Sequence, residues 1–270
     1  MFDEENFTFA QIMESLSANI GFFFLSKSSH MMSSLRGFAW NCGGLRRSAP
    51  ATLSKIMYFE KNFKNSFDFF FFLETHHKNQ NEIPNELMRY KDTHHIVHSE
   101  RDEQETHAGI IGLIRNEYTV SNIEELIKGR ILHLSIKDPV KETENHVSVV
   151  YLPTNANLNT NTITDIVHNL RLPNETDINN YMILGDFNFI DHEKDKKNGL
   201  SSKDKQLNQI WVPFLNEMDM VDPFREQNPK RRVWSFRGTG VAGNSRIDRL
   251  YVNSTHTNDI TNMKYIHTIR

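Results

Sequence analysis

Cys42 is the one cysteine among 270 residues. That excludes a disulfide framework and any zinc site built from several thiolates. Cys42 itself reads as a small packing residue near a strand end, the alternative being a reactive thiol. Long apolar runs are lacking too. None approaches the roughly 18–20 residues that a membrane span needs, and Gly21-Phe22-Phe23-Phe24-Leu25 is far too short. The opening MFDEENFTF is acidic where a secretory leader would be basic. These absences point to an intracellular chain with no membrane partner. A basic excess is also missing: 31 Lys and Arg face 34 Asp and Glu, for a net charge of −3. Binding nucleic acid through bulk positive charge is disfavoured, while a local basic groove remains open. A carboxylate-rich metal site would itself pull the balance negative.

What is present suffices for a core. Hydrophobic residues make up 38% of the chain, with 19 phenylalanines, so disorder is not expected. The length fits one large α/β domain or two small ones. Residues 1–32 carry no readable pattern and are taken as an N-terminal extension of unknown role. Residues 33–270 read as one domain, with no internal repeat and no dividing linker.

Strand and helix signals alternate along that domain. Leu35–Trp40 reads as a short buried strand ending at the turn signal Asn41-Cys42-Gly43-Gly44, and residues 50–63 suit a helix. Phe67–Leu73, FDFFFFL, is the kind of nearly continuous apolar run found in strands covered on both faces. Further strands are expected at Ala108–Arg115, Arg130–Ile136, Val147–Tyr151 and Tyr181–Leu184, and helices at Thr160–Leu170 and Lys203–Met218. Segments 155–161 and 191–204 read as loops. Val233–Phe236 and Ile247–Val252 are expected to pair across a Gly-rich turn.

Polar residues sit just past several of these strand ends: Asn41, Glu74, Tyr151, Asp186, Asn188 and Asp248. Strand ends that converge on one sheet edge assemble a site from residues distant in sequence. In Gly185-Asp186-Phe187-Asn188, Asp and Asn two apart share one side of an extended chain. The Asp can take a proton from water and the Asn amide can donate to an oxyanion; an Asx-rich turn is the structural alternative. Glu74 follows an apolar run, where a carboxylate is costly to bury unless paired or bound to a cation, and Mg²⁺ favours such ligands. A solvent-facing strand-end Glu is the competing reading. Asn41 lies beside two glycines that allow close backbone approach; it is either a turn residue or a binder of phosphate or metal-bound water. Tyr151 precedes a Leu-Pro turn and is either an ordinary aromatic or a donor to a phosphate oxygen. Asp248 stands between Arg246 and Arg249, as a salt-bridge ladder or as an acid that orients a histidine. His76, His77, His94, His95 and His98 read as a solvated polar loop, since no compact ligand spacing supports a zinc site. Lys230-Arg231-Arg232 is a solvated run or a phosphate contact.

The series WNCGGL (40–45), FLETH (72–76), YLPTN (151–155), GDFN (185–188), WSF (234–236) and SRIDRLYV (245–252) resembles the endonuclease/exonuclease/phosphatase family with the DNase I-like fold. More narrowly, it resembles the endonuclease domain of LINE-type non-LTR retrotransposons, relatives of apurinic/apyrimidinic endonucleases. The resemblance covers about residues 33–270. It implies a four-layer α/β sandwich: two packed mixed sheets flanked by helices. It implies a Mg²⁺- or Mn²⁺-dependent DNA-nicking hydrolase, with Glu74 and Asn41 at the metal. Asp186 would act on the attacking water, Asn188 on the pentacovalent phosphate and Tyr151 on a phosphate oxygen. Asp248 would hold the catalytic histidine. Ser235, Arg237 and Arg246 would contact phosphate or DNA.

DNA is the implied partner, with a reverse transcriptase downstream in the same polyprotein. The domain would be monomeric and the location nuclear. The departure is the family's closing Ser-Asp-His motif, which would fall just past Arg270. His267 is a poor substitute, and neither it nor His256 sits in such a motif. A fragment or a decayed copy with weak or absent activity is the expectation. Two alternatives stand beside nicking. One is an inactive fold that binds nucleic acid or a partner. The other is a phosphodiesterase on another phosphate ester, though phosphoinositide members carry Pro-Ala-Trp-Cys-Asp-Arg where this chain has Asn244–Arg249.

Overall fold

The computed structural model describes residues 21–26, 35–45, 50–62, 67–154, 157–171, 178–237 and 243–266. Its frame is two six-stranded sheets. The first contains β1 (Gly21–Ser26), β2 (Arg36–Asn41), β3 (Phe69–Leu73), β4 (His94–Ser99), β5 (Ile110–Arg115) and β14 (Ile260–Ile266), in the order β14-β1-β2-β3-β5-β4. The second contains β6 (Thr119–Ile127), β7 (Ile131–Lys137), β8 (Glu144–Tyr151), β9 (Tyr181–Asp186), β10 (Met220–Val221) and β13 (Asp248–Asn253), in the order β10-β13-β9-β8-β7-β6. A two-strand ribbon, β11 (Phe236–Arg237) with β12 (Asn244–Ser245), stands apart.

The phenylalanine run shows how the layers form. Alternate side chains of a strand face opposite ways, so Phe69 and Phe71 join the core between the sheets while Phe70 and Phe72 face outward. The inner core adds Leu132, Leu134, Val147, Val149, Met182 and Leu184 from the second sheet. The outward phenylalanines pack with Ile56 and Phe59 of helix α1 (Pro50–Asn62). On the far face of the second sheet lie α2 (Thr160–Leu170) and α3 (Ser202–Glu217), placing Ile163, Leu170, Leu207 and Trp211 against Val150, Ile183 and Tyr251. The result is helix, sheet, sheet, helix, the expected four-layer α/β sandwich. Among the described residues no helix is long and apolar enough to cross a membrane.

Three expectations are corrected. Gly21–Ser26, inside the expected extension 1–32, is a strand between β2 and β14; a short apolar run by itself does not distinguish a strand from a helix segment. Val233–Phe236 and Ile247–Val252 do not pair with each other. Instead Phe236 pairs with Ser245, and β13 pairs with β9, because the apolar residues of β13 are needed in the sandwich. His94, His95 and His98 lie on β4, not in a loop, while His76 is half-buried and His77 buried.

Candidate active site

Sheet topology alone collects the polar residues. β2 and β3 run parallel, with Asn41 opposite Leu73, so Asn41 and Glu74 emerge at the same end. β8 and β9 also run parallel, placing Tyr151 opposite Asp186. β13 runs antiparallel to β9, so its first residue, Asp248, falls opposite Asp186 as well. Asn41, Glu74, Tyr151, Asp186, Asn188, Ser235 and Asp248 thus line one cleft of about 150 Å³ between the edges of the two sheets. Thr154, Phe236 and Ile247 complete its wall; as ordinary residues of a turn, ribbon and strand end they carry no sequence signal.

Asp186 is held from two sides. Asn41 Nδ2 donates to Oδ2 at 2.9 Å and the Asn188 backbone N–H donates to Oδ1 at 3.0 Å. Asn188 turns there with φ +53°, a left-handed conformation that Asn adopts more readily than most residues, and its side-chain amide donates to the Leu152 carbonyl at 2.9 Å. Gly185 carries φ +144°, and a Cβ on it would lie 1.8 Å from the Val150 carbonyl oxygen. Only glycine lets the strand bring Asp186 this close to β8. Burial pushes the Asp186 carboxyl up to about 7, against the hydrogen bonds from Asn41 and Asn188, with Glu74 adding to the rise.

Glu74 behaves oppositely. Burial works to raise it, but hydrogen bonds from His76, Asn41 and Tyr151 outweigh that and bring it down to about 2. Burial, with Glu74 and Asp186 nearby, pushes the Tyr151 hydroxyl far up, so it stays a proton donor. Asp248 is driven well up by burial and by Asp186. Its Oδ1 has no hydrogen-bond partner among the described residues. Ser235 Oγ accepts the backbone N–H groups of Ile247 and Asp248 at 2.8 and 2.9 Å, so its hydroxyl braces Asp248.

Two expected DNA contacts differ sharply in place. Arg237 is exposed beside the cleft. Arg246 is fully buried and grips Asp195 through Nε at 2.8 Å and Nη2 at 2.6 Å, and also pairs with Asp222. It is a framework residue and cannot reach a phosphate. Asp195, in the segment 191–204 read as a loop, is buried in a single 3₁₀ turn. His267 and residues 238–242 lie outside the described residues.

The donor set fits a divalent metal. Glu74, Asp186 and Asp248 place three carboxylates around one cleft whose lining has no lysine or arginine among the described residues. Hard oxygen donors in that excess suit Mg²⁺ or Mn²⁺, with Glu74 the ligand best placed at the mouth.

No protein-family model and no curated protein matches the sequence. Solved structures do match. An AP endonuclease from Leishmania major is 15% identical, covering 94% of this chain and 89% of that one, with a TM-score of 0.61. A 3′ phosphatase from Neisseria, solved with a product DNA hairpin, is 16% identical over 83% of this chain and 88% of that one, with a TM-score of 0.56. The endonuclease domain of a telomere-specific non-LTR retrotransposon is 13% identical over 78% of this chain and 82% of that one, with a TM-score of 0.52. At these identities the likeness establishes the DNase I-like fold.

Proposed function

We propose that this chain is a divalent-metal-dependent phosphodiesterase that nicks DNA, the target-nicking endonuclease of a LINE-type retroelement. The observation that carries this reading is the gathering of Asn41, Glu74, Tyr151, Asp186, Asn188 and Asp248 in one cleft. The retroelement setting draws support from the fold shared with a non-LTR retrotransposon endonuclease domain. That setting would place the chain in the nucleus, with a reverse transcriptase as partner.

Glu74, low in pKa and anionic at neutral pH, would hold the Mg²⁺ or Mn²⁺ with Asn41 beside it. The ion would supply charge to a phosphate oxygen. Asp186 is oriented by Asn41 and the Asn188 N–H, and a carboxyl near 7 suits a base working at neutral pH. It would take the proton of the attacking water. The protonated Tyr151 hydroxyl and the Asn188 amide would donate to the phosphate as its negative charge grows. Asp248 Oδ1, which has no hydrogen-bond partner among the described residues, is the natural acceptor for an imidazole N–H. Nicking of supercoiled plasmid should require Mg²⁺ or Mn²⁺ and should cease in EDTA. Full nicking in EDTA would overturn this reading.

That no imidazole meets this oxygen among the described residues favours a second reading, a DNase I-like fold that binds DNA without cutting it. Plasmid shifted in a gel but never nicked, with added imidazole giving no rescue, would select that reading.

A further inference from the structure

Glu74 has a second set of neighbours outside the cleft. Its Oε1 lies 3.3 Å from His76 Nε2 and 3.5 Å from His107 Nδ1, and the two ring nitrogens lie 3.3 Å apart. These three atoms form a nearly equilateral triangle. The edges are long for hydrogen bonds, which for N–H···O cluster at about 2.9–3.0 Å. They match instead the face of a tetrahedron around one ion. Donors about 2.0–2.1 Å from a tetrahedral metal stand about 3.3–3.4 Å from one another.

The backbone is built to hold this triangle. Glu74 and His76 both sit in the left-handed region, at φ +56° and +64°, a strain that non-glycine residues rarely carry without function. The His76 N–H donates to the carbonyl of Ala108, the neighbour of His107, at 2.8 Å, and Arg101 Nε donates to the His76 carbonyl at 3.1 Å. A Cβ on Gly44 would lie 2.9 Å from His76 Nδ1, so that glycine makes room for the ring. His107 is largely exposed and also borders a hollow of about 630 Å³, shared with Glu105, Arg130, Tyr151 and Thr154. A fourth ligand could enter from there.

We propose that Glu74, His76 and His107 form a binding site for a divalent transition ion of the Zn²⁺ class, with one position open to solvent or a phosphate oxygen. Two imidazoles and one carboxylate select Zn²⁺, Co²⁺ or Fe²⁺ over Mg²⁺, which prefers oxygen. The site deepens the nuclease reading, because Glu74 belongs to both.

The test is titration of the untagged full chain with Co²⁺, following visible absorption, beside calorimetry with Zn²⁺. Wild type should bind one Co²⁺ with the intense bands of a four-coordinate ion, displaced by equimolar Zn²⁺ and not by equimolar Mg²⁺. His107→Ala, at an exposed position, should bind at least about 10-fold more weakly, and His76→Ala likewise. Asp186→Asn should keep wild-type Co²⁺ affinity. Equal Co²⁺ affinity in wild type and His107→Ala would overturn the site, even if Mg²⁺-dependent nicking is robust. His107-dependent Co²⁺ binding in a chain that never nicks DNA in any metal would sink the nuclease reading and leave the triad standing.

Discussion

Arg225, Arg246 and Arg249 face Asp191, Asp195 and Asp222 in the framework behind the ribbon. Three positive and three negative charges sum to zero. Arg249 Nη1 meets Asp191 at 2.7 Å, and Tyr251 donates to the other Asp191 oxygen at 2.5 Å. Asp248, between those arginines in sequence, belongs to the cleft instead. There Glu74, Asp186 and Asp248 bring three carboxylates and, among the described lining residues, no lysine or arginine. One cluster is internally neutralised; the other leaves its negative charge to be met from outside. Burying charge is tolerable when partners are fixed and is costly otherwise. A stability cluster closes its own balance, whereas an unbalanced one marks a place where a cation or a proton is expected.

The sharpest way to break this contrast is Asp186→Asn. Nicking should fall by on the order of 10²–10⁴-fold, the range for losing a general base. The melting temperature should hold or rise, because burial and the nearby Glu74 make the ionised Asp186 costly. A fall in both activity and melting temperature would show that Asp186 is a stability residue like Asp195.

Asp195→Asn tests the other side. Arg246 and Arg225 would each keep a charge deep in the protein with a partner weakened. Removing one member of a buried ion pair costs about 3–5 kcal/mol. Urea denaturation should report a loss of that order. A wild-type midpoint would mean that Asp222 can balance both arginines alone.

How far the sequence already spoke follows the same division. Most of the cleft was readable because Asn41, Glu74, Tyr151 and Asp186 end strands whose apolar runs are visible, as Phe67–Leu73 announces Glu74 and Tyr181–Leu184 announces Asp186; Asp248, expected past a strand end, instead opens β13. The framework cluster was not, because the two acids that hold Arg246, Asp195 and Asp222, come from a 3₁₀ turn and a helix cap, 51 and 24 residues before it in the chain. Arg246 therefore looked like a DNA contact. His107 was missed for the same reason: 31 residues separate it from His76, and only the pairing of the 74–77 turn with residues 108–109 joins them. Strand β1 lacked any signal until β2 and β14 flanked it.

Histidine burial shows a third solution, neutrality. His133 is buried, its Nδ1 bonds Ser148 Oγ at 3.0 Å, and burial, with His146 close by, brings its pKa down to about 4. His77 falls to about 4 through burial and His98. With folded values below the ordinary 6.5, the folded chain binds fewer protons than the unfolded one between those limits. Stability should be intact above about 6.5 and decline as pH drops toward 4. Thermal melts from pH 7.5 to 4.5 should show that slope, shallower in His133→Gln. An unchanged slope in the variant would assign the acid sensitivity elsewhere.

The smallest expected effect belongs to the arginine that joins neither cluster. Arg237 is exposed on the ribbon, two residues beyond the Ser235 that braces Asp248. It makes no ion pair among the described residues. A free cation at the rim of an acid-rich cleft can meet the phosphate backbone of a nucleic acid without being neutralised first, which Arg246 and Arg249 cannot do. Phosphate contacts of this kind position DNA and carry little sequence information. Arg237→Ala should therefore weaken DNA binding only a few-fold and lower the slope of log affinity against log salt by about 1, with kcat nearly unchanged. Residues 238–243 follow directly, rich in glycine. Under the proposed nicking function, replacing them with an Asn-Gly turn should redistribute nicks along a plasmid if this segment meets the DNA, because minor-groove contacts read width and flexibility more than base identity. An Arg237→Ala salt slope equal to wild type, with an unchanged nick map in the loop variant, would leave the ribbon a plain connector and the cleft dependent on other cations to receive DNA.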